Sequence, residues 1–190
     1  MGWRTFCLVT FLLVLGTSQA QYFIENKGQW PDQVLFRAEL PEALIYIENG
    51  GLTFDIRDPE EQALIAEAHH TEGVYPPDLL HYHSYHLAFE QANPVFDILK
   101  GESSLGHFSY FLGNDPSHWG SKAKAYKSIR LKEVYPGIAL HYYFVNGNLK
   151  YDLECEPGAD LSQVKFKYEG VEPELGPEGE LLIPTSVPIN

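Results

Sequence analysis

The chain is poor in cysteine. Cys7 lies in an apolar N-terminal run and Cys155 stands alone in the remainder. One cysteine cannot close a disulfide within the chain, so a small disulfide-stapled scaffold is excluded and the hydrophobic core must carry the fold. That economy fits bacterial export better than an oxidising eukaryotic secretory route. Positive charge is also scarce: 13 Lys and Arg face 26 Asp and Glu, for a formal net charge of −13. Such a balance repels nucleic acid and anionic lipid and keeps a protein soluble, so no nucleic-acid partner is expected. Long apolar runs are missing too. The only one, Phe6 to Leu15, is about half the roughly twenty residues that cross a bilayer, so no membrane span is expected.

That short run has a function of its own. Met1-Gly2-Trp3-Arg4 supplies a positive charge, the apolar stretch follows, and Ser18-Gln19-Ala20 is a small-x-small cleavage site. Together they read as a secretory signal peptide over residues 1–20, with Gln21 as the mature N-terminus. Cys7 lies inside the run rather than after it, so it is not placed for lipid attachment. Without Arg4, 12 basic residues face 26 acidic ones, a net charge of −14. Residues 21–190 then form a single expected domain, long enough to bury a substantial core.

The dominant pattern is alternation with period two, the signature of half-buried strands. Val34, Phe36 and Ala38 alternate with Leu35, Arg37 and Glu39. Leu44 to Ile47, Asn49-Gly50-Gly51 and Leu52 to Ile56 read as a hairpin, with Asn-Gly supplying the positive φ angles of a tight turn. Ile138, Leu140, Tyr142 and Phe144 face a core; Asn146-Gly147-Asn148 turns; Leu149, Tyr151, Leu153 and Cys155 answer on the next strand. Val164, Phe166 and Tyr168 repeat the pattern. Pro136-Gly137 and Glu156-Pro157-Gly158 mark further turns. One segment differs. Asp58-Pro59-Glu60-Glu61 is a helix start, with an N-cap, a first-position proline and an acidic first turn, so a short helix is predicted near 59–70. The expected fold is all-β: an antiparallel sandwich with one short helix.

Candidate chemistry is thin. In Tyr110-Phe111-Leu112-Gly113-Asn114-Asp115-Pro116-Ser117-His118-Trp119, the polar cluster could hold a cation. A calcium site needs six to eight oxygen ligands, however, and turn roles account for Gly113, Asn114, Asp115 and Pro116. Trp119 is expected to cover this loop on the core. His81 and His83 are the best metal candidates, because residues two apart share a strand face and both imidazoles could reach one zinc ion. A catalytic zinc needs a third ligand, for which His86, His107 and His141 are the remaining choices; His86 has the opposite parity. His69 and His70 answer the helix dipole. Gly101 to Gly106 nearly matches a nucleophile elbow, but Leu105 occupies the second glycine position, and a turn is the expectation. Cys155 is expected to be a small buried apolar group. Lys122, Lys124, Lys127, Arg130 and Lys132 form the only basic cluster, expected as a solvated strand face. No catalytic residue, metal or cofactor is implied.

Four blocks in order add a resemblance. They are Phe23-Ile24-Glu25-Asn26-Lys27-Gly28-Gln29-Trp30; Tyr110 to Pro116 leading to Trp119; Val134-Tyr135-Pro136-Gly137-Ile138; and Asn148-Leu149-Lys150-Tyr151-Asp152 leading to Pro157-Gly158. Over residues 22–183 the chain resembles the uncharacterised N-terminal domain of large secreted bacterial proteins, common in the Bacteroidetes. In that family the domain precedes bacterial beta-propeller (SBBP) repeats, PKD-type or other immunoglobulin-like domains, and a gliding-motility or type IX secretion sorting domain. The chain departs from it at Ala139, where the family usually has Asp, and at Ser109, where it usually has Asn. The family pattern continues beyond Leu181-Leu182-Ile183 with further strands, so a chain ending at Asn190 is expected to be the N-terminal portion of a longer protein. The signal peptide, the alternation, the missing catalytic constellation and this family context together point to a non-catalytic secreted or cell-surface structural or interaction module, adhesion-related, whose partners are its own downstream domains or a surface glycan or protein. The alternatives are a carbohydrate-binding module using exposed aromatics and a metal-dependent hydrolase using His81 and His83.

Overall fold

The computed structural model describes residues 21–73, 75–94, 97–111 and 113–188. The expected signal segment, Leu112 of the polar loop and the chain end at Asn190 lie outside the described residues. Every strand pairing is antiparallel, and the strands form two main sheets and one small hairpin.

The larger sheet has eight strands. In spatial order these are β12 (Phe166–Glu169), β5 (Tyr82–Phe89), β4 (Gly51–Arg57), β3 (Ala43–Glu48), β2 (Val34–Leu40), β1 (Phe23–Glu25), β8 (Gly120–Tyr126) and β7 (Ser103–Tyr110). The smaller sheet has four: β11 (Asn148–Cys155), β10 (Ile138–Val145), β9 (Ser128–Tyr135) and β6 (Ile98–Lys100). A short hairpin, β13 (Glu174–Leu175) with β14 (Leu181–Leu182), follows β12. The only helix of more than one turn among the described residues is α1 (Pro59–His70), within the predicted bounds.

The alternation read from sequence becomes the core. Val34, Phe36 and Ala38 are buried, as are Ile45, Ile47, Leu52, Ile138, Leu140 and Tyr142. Burying each aliphatic or aromatic side chain contributes about 1.5–3 kcal/mol. Burial drives the Tyr142 phenol far above its usual range, so it stays protonated.

The two Asn-Gly turns differ. Asn146 and Gly147 both take positive φ, 49° and 87°, as a tight hairpin of this twist requires. Asn49 and Gly50 do not, contrary to expectation. Tertiary hydrogen bonds account for the difference: the Asn49 N–H donates to the Gln33 carbonyl, and the Gly50 carbonyl accepts from the Phe89 N–H at 2.8 Å. The turn conforms to its neighbours rather than to its own preference.

The helix is built locally. Asp58 Oδ1 accepts from the Glu60 and Glu61 N–H groups at 2.9 and 3.2 Å, and Pro59 sits in the first turn. His69 and His70 fall in the last turn. None of the helix residues is buried, so packing does not hold it to the sheets. Instead both Glu61 carboxylate oxygens bind His81: Oε2 accepts the His81 N–H at 2.6 Å and Oε1 faces Nδ1 at 2.5 Å.

Candidate functional site: an open apolar cleft

The eight-stranded sheet is wider than the four-stranded sheet that covers it. Where β11 ends the cover, part of the inner face stays unroofed. The result is an open cleft of about 400 Å³. Its floor includes Leu52 and Phe54 on β4, Leu87 and Phe89 on β5 and Phe166 on β12. Its roof is Tyr142 on β10 with Leu149 and Tyr151 on β11. Besides the hydroxyls of Tyr142 and Tyr151, the polar residues of the lining are Asn148 and Lys150. The volume is that of a small-molecule pocket, but the convergent polar groups that orient a substrate are missing from it.

Aromatic rings line the rim. Phe54 and Tyr85 stack with centroids 4.7 Å apart and planes 9° apart, and Tyr168 and His83 flank Tyr85 at 6.4 and 6.3 Å. Phe166 links Phe89 at 5.6 Å to Tyr151 at 6.3 Å. Burial, aided by Tyr168, pushes the Tyr85 phenol up to about 12, so it presents a neutral hydroxyl at ordinary pH. Val187 is buried in the same core as Ile56.

The two metal candidates are drawn apart. His81 precedes β5 and is committed to Glu61; the hydrogen bond to Glu61 and the carboxylate charge raise the His81 pKa, and the hydrogen bonds from the His81 ring and N–H lower that of Glu61. His83 lies on β5, and its Nδ1 accepts from the Ser186 N–H at 3.1 Å and meets Ser186 Oγ at 3.0 Å. Since Nδ1 is an acceptor, the ring proton belongs on Nε2, which is buried without a partner. The possible third ligands are elsewhere. His86 Nδ1 meets Thr53 Oγ1 at 3.1 Å, His141 Nδ1 meets Glu154 at 3.3 Å, and His107 on β7 pairs with Lys124. Among the described residues no three His, Cys, Asp or Glu side chains are grouped to hold a metal ion.

In the polar loop, Gly113 takes φ 68°, and Asp115 Oδ1 accepts from the Ser117 N–H at 2.9 Å and from Ser117 Oγ at 2.7 Å. Those two bonds hold the Asp115 carboxyl below its usual range and cap a 3₁₀ turn over Pro116–His118. Pro136 and Gly137 join β9 to β10, and Pro157 and Gly158 follow β11. The two turns touch, since the Glu156 N–H donates to the Gly137 carbonyl at 2.8 Å.

Four expectations need correction. Trp119 is 39% exposed and covers the loop itself, meeting the Phe111 ring at 5.6 Å and donating Nε1–H to the Gly113 carbonyl, rather than sealing it on the core. Gly101 to Gly106 is not a turn: residues 101 and 102 carry the chain from β6 in one sheet to β7 in the other, and Ser103 to Gly106 already belong to β7. Cys155 is exposed, because β11 is an outer strand and its last residue has no second layer over it. The basic run is not one face: Lys122 and Lys124 lie on β8, while Arg130, partly buried, and Lys132, exposed, lie on β9 in the other sheet.

Two polar features escaped the sequence reading. Glu25 is only 5% exposed; it accepts the Lys124 N–H at 3.0 Å, and its Oε2 lies 2.9 Å from Lys100 Nζ. Burial pushes this carboxyl up, but those bonds and the nearby lysine charges outweigh it and hold the pKa below the usual range. On the outer face of the large sheet, the Arg37 guanidinium lies 4.6 Å over the Trp30 ring and 5.6 Å from Tyr110, with Tyr46 6.5 Å from Trp30. The alternation around Arg37 placed it outward, but nothing local signalled that Trp30 and Tyr110 would meet it.

A family model described as a domain of unknown function (DUF7948) matches residues 23–188. Comparison with curated proteins and with solved structures finds no match.

Proposed function

The chain belongs to this family, the domain of unknown function DUF7948, and on that premise we propose that it serves as a non-catalytic interaction module. It would be exported by the signal segment at residues 1–20, act at the cell surface or outside the cell, and stand at the N-terminus of a larger protein of the Bacteroidetes type. There it would be followed by propeller repeats or immunoglobulin-like domains. The observation that carries this reading is the unroofed apolar cleft with its aromatic rim. Contiguous exposed apolar surface, unaccompanied by converging titratable groups, suits binding to another apolar surface better than bond-breaking. The order of the blocks from Phe23 to Gly158 supports the context. No helix among the described residues is long and apolar enough to cross a membrane.

Amide exchange on the longer polypeptide checks this. β11, β12 and the rim around Phe54 and Tyr85 should gain protection relative to residues 21–190 alone. Unchanged exchange there would overturn the reading.

A second reading, carbohydrate binding, draws on the outer-face cluster of Trp30, Tyr46, Tyr110 and Arg37. Aromatic rings beside a guanidinium suit the apolar and polar sides of a sugar. Saturable binding on a glycan array, lost in Trp30→Ala, would favour it over the first reading.

The helix tether makes a separate prediction. His81 has a raised pKa, so its contribution is fully present below the ordinary imidazole value and is lost as pH rises through the folded value. Glu61 has a lowered pKa, so its contribution is lost only as pH falls below the carboxylate range. After correction for intrinsic rates, exchange of amides 59–70 should therefore be slower near about pH 6 than near about pH 9. His81→Ala should abolish the difference, and a difference that survives it would rule the tether out.

A further inference from the structure

β7 is one of the two outer strands of the large sheet. β8 pairs with one side of it, and among the described residues no strand pairs with the other. Most of its side chains are exposed: Leu105 is fully exposed and Phe108 is 40% exposed. A free strand edge with apolar side chains is a template for another chain, and stable proteins cover such edges. Beside it lie the exposed Lys122 and Lys124 on β8, positive charge in an acidic molecule, while Lys127 just after them is paired with Glu102 at 2.9 Å.

The β13–β14 hairpin has the opposite character. Leu175 is 77% exposed, Leu181 49% and Leu182 46%. Glu172, Glu174, Glu178 and Glu180 surround them, and no Lys or Arg occurs from Val171 to Asn190. None of the three leucines is part of the buried core.

We propose that the β7 edge of one molecule docks the β13–β14 hairpin of a second copy. The inference rests on the interaction-module reading and names one partner. Exposed leucines meet Leu105 and Phe108, and the glutamates meet Lys122 and Lys124. The two patches are different surfaces, so the contact is head-to-tail: each copy keeps one free patch, and the assembly grows as an open chain rather than closing as a two-fold dimer. Both patches are small, so the association is weak in dilute solution and significant where copies are crowded. Salt weakens it, because the Debye length shrinks from about 10 Å at 0.1 M to about 3 Å at 1 M.

Sedimentation of the purified chain tests this. At low salt the mass should rise with concentration beyond a dimer, and high salt should return it towards a monomer. Lys122→Glu with Lys124→Glu reverses the edge, and Glu172→Lys with Glu174→Lys reverses the hairpin; all four positions are exposed. Each double variant alone should sediment as a monomer, and an equimolar mixture should associate again. Leu105→Asp should abolish association without changing the melting temperature, since the side chain is fully exposed. The inference is overturned by a monomer under all conditions, by association that survives Leu105→Asp, or by a mixture that stays monomeric. A monomeric chain whose cleft still gains protection in the longer polypeptide would sink this inference alone and leave the proposed function standing.

Discussion

Glu25→Ala should destabilise the domain by about 3 kcal/mol near neutral pH, and by less as pH falls. Removing the carboxylate leaves the Lys124 N–H and Lys100 without their acceptor and takes away the oxygen that Tyr126 approaches at 3.4 Å. Each buried donor left unsatisfied costs about 1–3 kcal/mol, and breaking a buried ion pair about 3–5. The partial exposure of Lys100 keeps the total towards the lower end. Because the Glu25 pKa is lowered in the fold, its contribution is present above the ordinary carboxylate value and is lost as pH falls through the folded value. Urea unfolding of wild type and variant across this range measures it. The gap between them should narrow at acid pH, and Glu25→Gln, which keeps one acceptor, should fall between. A gap independent of pH would mean that the ionised form contributes nothing.

Phe36→Ala should cost about 3–5 kcal/mol, a large part of the roughly 5–15 that holds an ordinary domain together. Phe36 is 2% exposed, lies edge-on to Tyr126 at 6.2 Å and has Lys100 Nζ 5.7 Å above its ring. Phe54→Ala is the informative contrast. Its ring is only partly buried and lines the cleft, so truncation widens a space that already exists and should cost about 1 kcal/mol. If thermal or urea unfolding assigned the two substitutions equal costs, the cleft would be closed in solution, and the proposed function would lose its main support.

Much of the fold was legible because the signals are local. Alternation in Val34 to Ala38 and Ile138 to Phe144 selects strands and the buried face, since successive side chains must point to opposite sides of a pleat. Asp58-Pro59 starts α1 through bonds that span three residues. Parity, however, does not say whether a second layer covers a face. Ile138 and Cys155 are register partners, yet one is buried and the other exposed. The cleft was likewise invisible: Phe54, Tyr85, Tyr151 and Phe166 read as ordinary core, and only the unequal widths of the sheets leave them at an opening.

By itself, the sequence determined the strand class, the helix and its cap, the Asn146-Gly147 turn and the acidic balance. Each depends on neighbours along the chain or on composition alone. The tertiary structure decided that β1 runs between β2 and β8, which turns an ordinary glutamate into a buried ion. It also decided that β7 and β11 are outer strands and that His81 and His83 serve different partners. Those outcomes rest on contacts between segments tens of residues apart, chosen by how the whole set of apolar faces packs together.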